Sequence, residues 1–189
     1  MIRVGLVGED PNDTSSIKNL LEKRYNKKVR FYALTRTETG HGLDSSKTKK
    51  SITIEFDEKK CRFIVFIRDL DAFESHKSAL ERKIKWFKEL DDLVNNKGIF
   101  LLNIWELEAL ILADIDTFNK SYNIKHKFKG NPMLQKEPKE LLKRITAKTN
   151  KKFKESHCPN LFKDLDIDKV EKNCRFFRDF IQEFNKKIA

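Results

Sequence analysis

CRFIVFIRDLDAF, residues 61–73, is the stretch whose reading decides the fold. Apart from Arg62, the run to Ile67 is β-branched, aromatic or otherwise apolar, which predicts a strand buried on both faces. It ends at two aspartates one residue apart, Asp69 and Asp71. Upstream, IRVGLVG (2–8) reads as another buried strand running into an acidic turn with Glu9, Asp10 and Asp13. The next segment, DTSSIKNLLEKRY (13–25), predicts a helix starting near Thr14, with Ile17, Leu20 and Leu21 at helical spacing. VRFYAL (29–34) and IFLLNI (99–104) add two strands, and the polar, basic stretch 36–51 reads as an exposed loop. SITIEF (51–56) fits either an alternating strand or a helical turn. ALERKIKWFKELDDLV (79–94) predicts a helix with Leu80, Ile84, Phe87 and Leu90 on one face, and ELEALILADIDTF (106–118) predicts a further helix. Strands alternating with helices imply parallel crossover units, hence an α/β fold with a mostly parallel, Rossmann-like sheet flanked by helices.

Charge divides the chain. The net charge is +11, yet residues 1–118 carry 21 basic against 20 acidic side chains and residues 119–189 carry 19 against nine. An α/β core over 1–118 with a basic helical segment over 119–189 packed on it accounts for the pattern. In that segment KEPKELLKRI (136–145) and KVEKNCRFFRDFIQEFNKK (169–187) read as two amphipathic helices, the second turning Phe176, Phe177, Phe180 and Phe184 inward. The basic excess suits a polyanion such as nucleic acid; a lysine-rich solvated surface is the plain alternative. Cys61, Cys158 and Cys174 lack CxxC spacing, so neither a zinc site nor a disulfide framework is expected. No apolar run reaches membrane-spanning length, no secretory leader opens the chain, and a cytoplasmic protein without a membrane partner is expected.

In open α/β sheets the working site lies at the carboxyl ends of the strands. Three strands end in acid: the first at Glu9, the third at Asp69 and Asp71, the fourth near Glu106 and Glu108. Carboxylates gathered on one edge repel one another, and a divalent cation relieves the conflict. Hard oxygen donors select Mg²⁺ or Mn²⁺, and two such ions about 4 Å apart would clamp the attacking and leaving oxygens of a phosphodiester. Each acid also has a plainer reading. Asp13 could cap the helix, Asp10 could face solvent, and Glu106 and Glu108 could charge a helix's first turn. The glycines of GLVGED do not complete GxGxxG, and no Walker A pattern occurs, so no nucleotide cofactor is expected.

These residues resemble the Toprim fold of topoisomerases, primases, small ribonucleases and the overcoming-lysogenization-defect nucleases. In that fold a glutamate follows the first strand and a D-x-D follows a later one. VGEDPND matches the glutamate loop, with Glu9 and Asp13, and IRDLD supplies Asp69 and Asp71. Later segments are similar to a family of uncharacterised Toprim-related proteins: ELEALILAD (106–114) to its E-x-E-A-W-x-L-A-D element, EPKELL (137–142) to D-P-K-x-L-L, and CRFFRDFI (174–181) to S-F-x-x-F. Leu110 stands where an aromatic is usual, Glu137 replaces the aspartate before Pro138, and 36–51 replaces a more regular crossover. The resemblance implies a Mg²⁺- or Mn²⁺-dependent nuclease. One metal would lie near Glu9 and Asp13, a second near Asp69 and Asp71, and Glu108 or Glu106 would complete the set. Lys139 would act on the scissile phosphate, or merely decorate a helix start. Arg175 and Arg178 would reach nucleic acid from the outer face of an aromatic stripe. The resemblance also leaves open a binding or regulatory subunit of an ABC-type ATPase complex in phage defence; a small-molecule phosphatase would share the metals without needing the basic flank.

Overall fold

The computed structural model describes residues 1–35, 42–43 and 45–189. Four strands, β1 (Ile2–Val7), β2 (Val29–Ala33), β3 (Phe63–Asp69) and β4 (Gly98–Asn103), pair in the order β2-β1-β3-β4. Every pairing is parallel. This is the expected Rossmann-like α/β sheet flanked by helices. Strand order reverses between β1 and β3, and that reversal opens a crevice at their carboxyl ends.

The alternation of β3 sorts the core into two layers. Phe63, Val65 and Ile67 join the larger apolar cluster with Ile17, Leu20 and Leu21 of α1 (Pro11–Tyr25). Ile64 and Phe66 turn to the other face, among Ile52 and Phe56 of α2 (Ser46–Glu58) and Trp86 and Leu90 of α3 (Lys77–Leu93). The α2 helix corrects the loop reading of 36–51 over residues 46–51; residues 36–41 and 44 lie outside the described residues. Ser45 caps α2 by accepting from the Thr48 amide at 3.1 Å, and Thr48, Ile52 and Phe56 recur every four residues on its buried side. SITIEF is therefore helical.

The α3 face also differs from expectation. Leu90 is buried as expected and Leu80 and Phe87 are half-buried, but Ile84 is 37% exposed and Ala79 and Trp86 are buried, so the buried stripe is shifted toward Trp86. The helix expected over 106–118 breaks at Asp114 into α4 (Ala109–Ala113) and α5 (Ile115–Tyr122). After α6 (Pro138–Ile145) and α7 (Cys158–Asp164), the last expected helix divides at Cys174 into α8 (Ile167–Asn173) and α9 (Arg175–Ile188). Phe177, Phe180 and Phe184 of α9 are buried and Phe176 only partly so. Phe184 lies 4.9 Å from Tyr25 and 5.4 Å from Phe63, ring centre to ring centre, so the basic C-terminal helices cover a face of the sheet. All three cysteines are buried and free. Among the described residues no helix is long and apolar enough to cross a membrane.

Candidate functional site

The end of β1 leads through Gly8 and Glu9 to Asp10, the N-cap of α1. Gly8 keeps φ out of the left-handed region, and space there is tight: a Cβ would lie 3.1 Å from Thr14 Cγ2 and 3.3 Å from Asp13 Cβ. The helix begins at Pro11, earlier than expected, and Asp10 does the capping by accepting from the Asn12 amide at 2.7 Å. Asp13 returns the favour by accepting from the Asp10 amide at 3.1 Å. Amides that could cradle a phosphate at this helix end are thus taken by carboxylates.

The ends of β3 and β4 are cross-tied. Asn103 Nδ2 donates to Asp69 Oδ1 at 2.9 Å, the Leu70 amide to Asn103 O at 2.9 Å and the Asp71 amide to Trp105 O at 3.0 Å. The Trp105 amide donates back to Ala72 O at 3.3 Å. Asp71 and Trp105 both sit in the left-handed region, with φ of 57° and 60°, a strain that the cross-tie holds in place.

A pocket of about 220 Å³ opens at the reversal of strand order, lined among others by Glu9, Asp10, Asp13, Asp69, Glu108, Lys139, Glu155 and Cys158. Residues from three strand ends meet there. Burial pushes the Asp13 carboxyl up to about 7, with Asp10, Glu108 and Glu9 adding repulsion. Burial likewise pushes Asp69 well above the ordinary range, Asp13 and Glu108 adding to it despite the Asn103 hydrogen bond. Glu108 is 6% exposed and reaches about 7, through burial and then the charge of Glu106. The Cys158 thiol donates to Glu108 Oε1 at 3.8 Å, and burial beside these acids pushes the thiol up, which makes it inert as a nucleophile.

The structure separates the two glutamates that the sequence left as alternatives. Glu108 lines the pocket, whereas Glu106 accepts from the Lys139 amide at 3.1 Å and lies 3.5 Å from Lys139 Nζ, so it anchors the start of α6. Burial lowers the proton affinity of Lys139, but Glu106, Glu108 and Glu155 more than offset it and hold the amine charged. Asp71 does not line this pocket. Its side chain is 66% exposed, in a neighbouring groove with Lys83 and Trp105. Arg175 pairs with Glu74 at 2.6 Å and lies over the Phe176 ring, beside another cavity, and Arg178 is exposed on the same helix.

Four polar neighbours stand outside the sequence expectation: Arg68, Lys83, Asn103 and Glu155. Arg68 Nε lies 2.7 Å from Glu9 Oε1, and its guanidinium lies 4.4 Å from the centre of the Trp86 ring. Lys83 Nζ lies 3.6 Å from the same Glu9 oxygen and 3.3 Å from Asp71 Oδ2. An arginine at the end of a buried strand must find an anion, and Lys83 shares the helical stripe of Ala79, Trp86 and Leu90; those were the available signals. Among the described residues no group of three or more His, Cys, Asp and Glu side chains is arranged to hold a metal ion.

A four-stranded parallel sheet with an acidic pocket at its topological switch defines a Rossmann-like α/β protein whose chemistry-bearing groups cluster at the carboxyl edge. The chain belongs to the family described as domain of unknown function (DUF4276), whose model matches residues 8–185. No curated protein and no solved structure shows significant similarity to it.

Proposed function

We propose that the protein is a Mg²⁺- or Mn²⁺-dependent, Toprim-like nuclease that hydrolyses DNA or RNA phosphodiesters at this pocket. One observation carries the reading: Asp13, Asp69 and Glu108 line a single pocket with Lys139, and all three carboxyls are driven above their ordinary range by burial and by charged neighbours. Crowded, desolvated carboxylates fit a hard divalent cation in charge and donor type. The set is not a closed cage, and Mg²⁺ does not need one, since it commonly takes one or two carboxylates and completes its shell with water and phosphate oxygens.

Asp13 and Asp69 would hold such an ion, with Glu108 completing the acidic set. The ion would supply a water acidified toward neutral pH and neutralise charge on the phosphate. The chain's own groups do the rest. Glu108, fixed at the pocket wall by burial, adds its carboxylate to the charge that the ion would neutralise. Lys139, held charged by its glutamates, meets the charge that builds on the phosphate. The excess of basic side chains over 119–189 supports a polyanionic substrate, and exposed Arg178 is available to its backbone.

Purified protein is expected to cleave nucleic acid with Mn²⁺ or Mg²⁺, to stop with EDTA, and to lose at least about 100-fold in rate in Asp69→Asn. Undiminished cleavage in that variant overturns the assignment. A second reading, a non-cutting subunit of an ABC-type ATPase complex in phage defence, draws on the fact that Glu9 is already engaged by Arg68 and Lys83. A chain that is silent in the same assay yet binds an ATPase subunit tightly favours it.

A further inference from the structure

The resemblance to two-metal enzymes would put Glu9 beside Asp13 at one ion and Asp71 beside Asp69 at another, yet in the structure Glu9 and Asp71 share positive charge instead. Lys83 Nζ bridges the two acids, 3.6 Å from Glu9 Oε1 and 3.3 Å from Asp71 Oδ2. Arg68 Nε approaches the same Glu9 oxygen at 2.7 Å. We propose that Lys83 is the second cation of the site: its ammonium stands in for the second metal, and the chain binds one divalent ion, at Asp13 and Asp69. The inference rests on the metal-dependent reading above.

Both cations are built into the fold. The side chains of Lys83 and Arg68 are 17% and 13% exposed, so solvent and salt screen the Arg68–Glu9 pair less than a surface pair, while Lys83 reaches out to an exposed Asp71 carboxylate. Lys83 projects from the buried stripe of α3 because the helix presents Ala79, Trp86 and Leu90 rather than Ile84 to the sheet. Arg68 is pinned between Glu9 and the Trp86 ring. Asp71 is held by its left-handed backbone and the cross-tie to Trp105. Glu9 sits at the boundary, lining the pocket yet answering Arg68 and Lys83 together with Asp71, while Asp13, Asp69 and Glu108, with Lys139 beside them, keep a surplus for one ion. A divalent ion arriving between Glu9 and Asp71 would meet both cations head-on, whereas one in the pocket would meet three carboxyls. A fixed ammonium also keeps this half of the site neutral whatever the metal concentration.

The test is a Mn²⁺ titration of the purified protein followed by electron paramagnetic resonance, which counts bound ions without reference to activity. The wild-type chain is expected to bind one Mn²⁺. Lys83→Met frees Asp71 and leaves Glu9 with Arg68 alone, and is expected to add a second, weaker Mn²⁺, which Lys83→Met/Asp71→Asn removes again. Asp71→Asn alone, at an exposed position that does not threaten folding, is expected to keep the single ion with affinity within about twofold. A loss of about tenfold or more in Asp71→Asn, the size expected for a group that serves a metal, would make Asp71 part of the metal site and overturn the proposal. Two ions in the wild type overturn the role of Lys83 and leave the metal-dependent reading standing; one ion in both wild type and Lys83→Met also overturns it. No bound ion in the wild type overturns both.

Discussion

Glu108 carries the sharpest conflict in the molecule. It is 6% exposed, sits among acids, and has a thiol as the donor to its carboxylate. Its folded pKa of about 7 lies above its ordinary 4.5, and Asp13 is raised the same way. Between those values the folded chain binds more protons than the unfolded one. Stability therefore falls as pH rises through that window and is lowest above it. The metal-free protein is expected to melt lower at pH 8 than at pH 5.5, and Mg²⁺ to recover the difference at pH 8 but not at pH 5.5. Glu108→Gln keeps the volume and removes the charge. Calorimetry of the metal-free variant is expected to give a higher melting temperature at pH 8, about 2–4 °C for each kcal/mol regained, with a flatter pH profile and cleavage lost. The sequence offered Glu106 and Glu108 as equals because a two-residue spacing in an irregular turn does not fix direction. Lys139, 33 residues from Glu106, is what separates them. Arg68 and Lys83 escaped notice for a related reason: a cation has no motif of its own until its anion is in place.

At the scale of elements, local periodicity was legible and breaks made by distant contacts were not. Each of the four sheet strands was marked by its apolar run, and α6 by its apolar spacing. Nothing within ELEALILADIDTF, which lacks Gly and Pro, announces the break at Asp114. The break is made from outside. The Asp114 side chain is fully buried and accepts from Thr117 Oγ1 at 2.7 Å, the Asp166 amide at 2.9 Å and Lys169 Nζ at 3.3 Å, fastening α5 to α8. Burial alone would raise its pKa, but these donors outweigh burial and bring it below 3.8. The stability it contributes is thus present above the ordinary carboxylate range and lost as pH falls through the lowered value. Asp114→Asn leaves donors facing an amide and is expected to cost about 1.5–3 kcal/mol in chemical denaturation near pH 7, an effect that shrinks in strong acid. Metal binding, measured below the melting transition, is expected to persist.

At the scale of the molecule, fold class could be read from strands alternating with helices, but strand order could not, because parallel pairing depends on contacts between distant segments. The position of the basic segment was likewise settled only by packing. Phe184, fully buried, meets Tyr25 of α1, Phe31 of β2 and Phe63 of β3, and α9 packs along β4, so the helix covers a face of the sheet instead of trailing from it. Phe184→Ala is expected to cost about 3–5 kcal/mol by urea denaturation and to unfold the sheet with the helix in a single transition. A separate, earlier transition for the C-terminal helices would contradict that coupling.

The cross-tie between Asp71 and Trp105 bears on how a long polymer could enter so small a pocket. Residues after β3 and β4 are laced together by two reciprocal backbone bonds around strained positions, and Asp10 and Asp13 lock the start of α1. These form a fixed jaw carrying Asp13 and Asp69. Lys139 and Cys158 arrive instead on α6 and α7, helices of eight and seven residues. They form a second jaw that is braced on the first: α7 buries Leu161 and Phe162 in the main core along α1, Asn19 Nδ2 donates to Pro159 O at 2.7 Å, and Glu106 holds the start of α6. Both jaws are thus anchored in one core, so the mouth keeps its width and a long polymer would have to bring a single extended phosphate to it instead of being gripped.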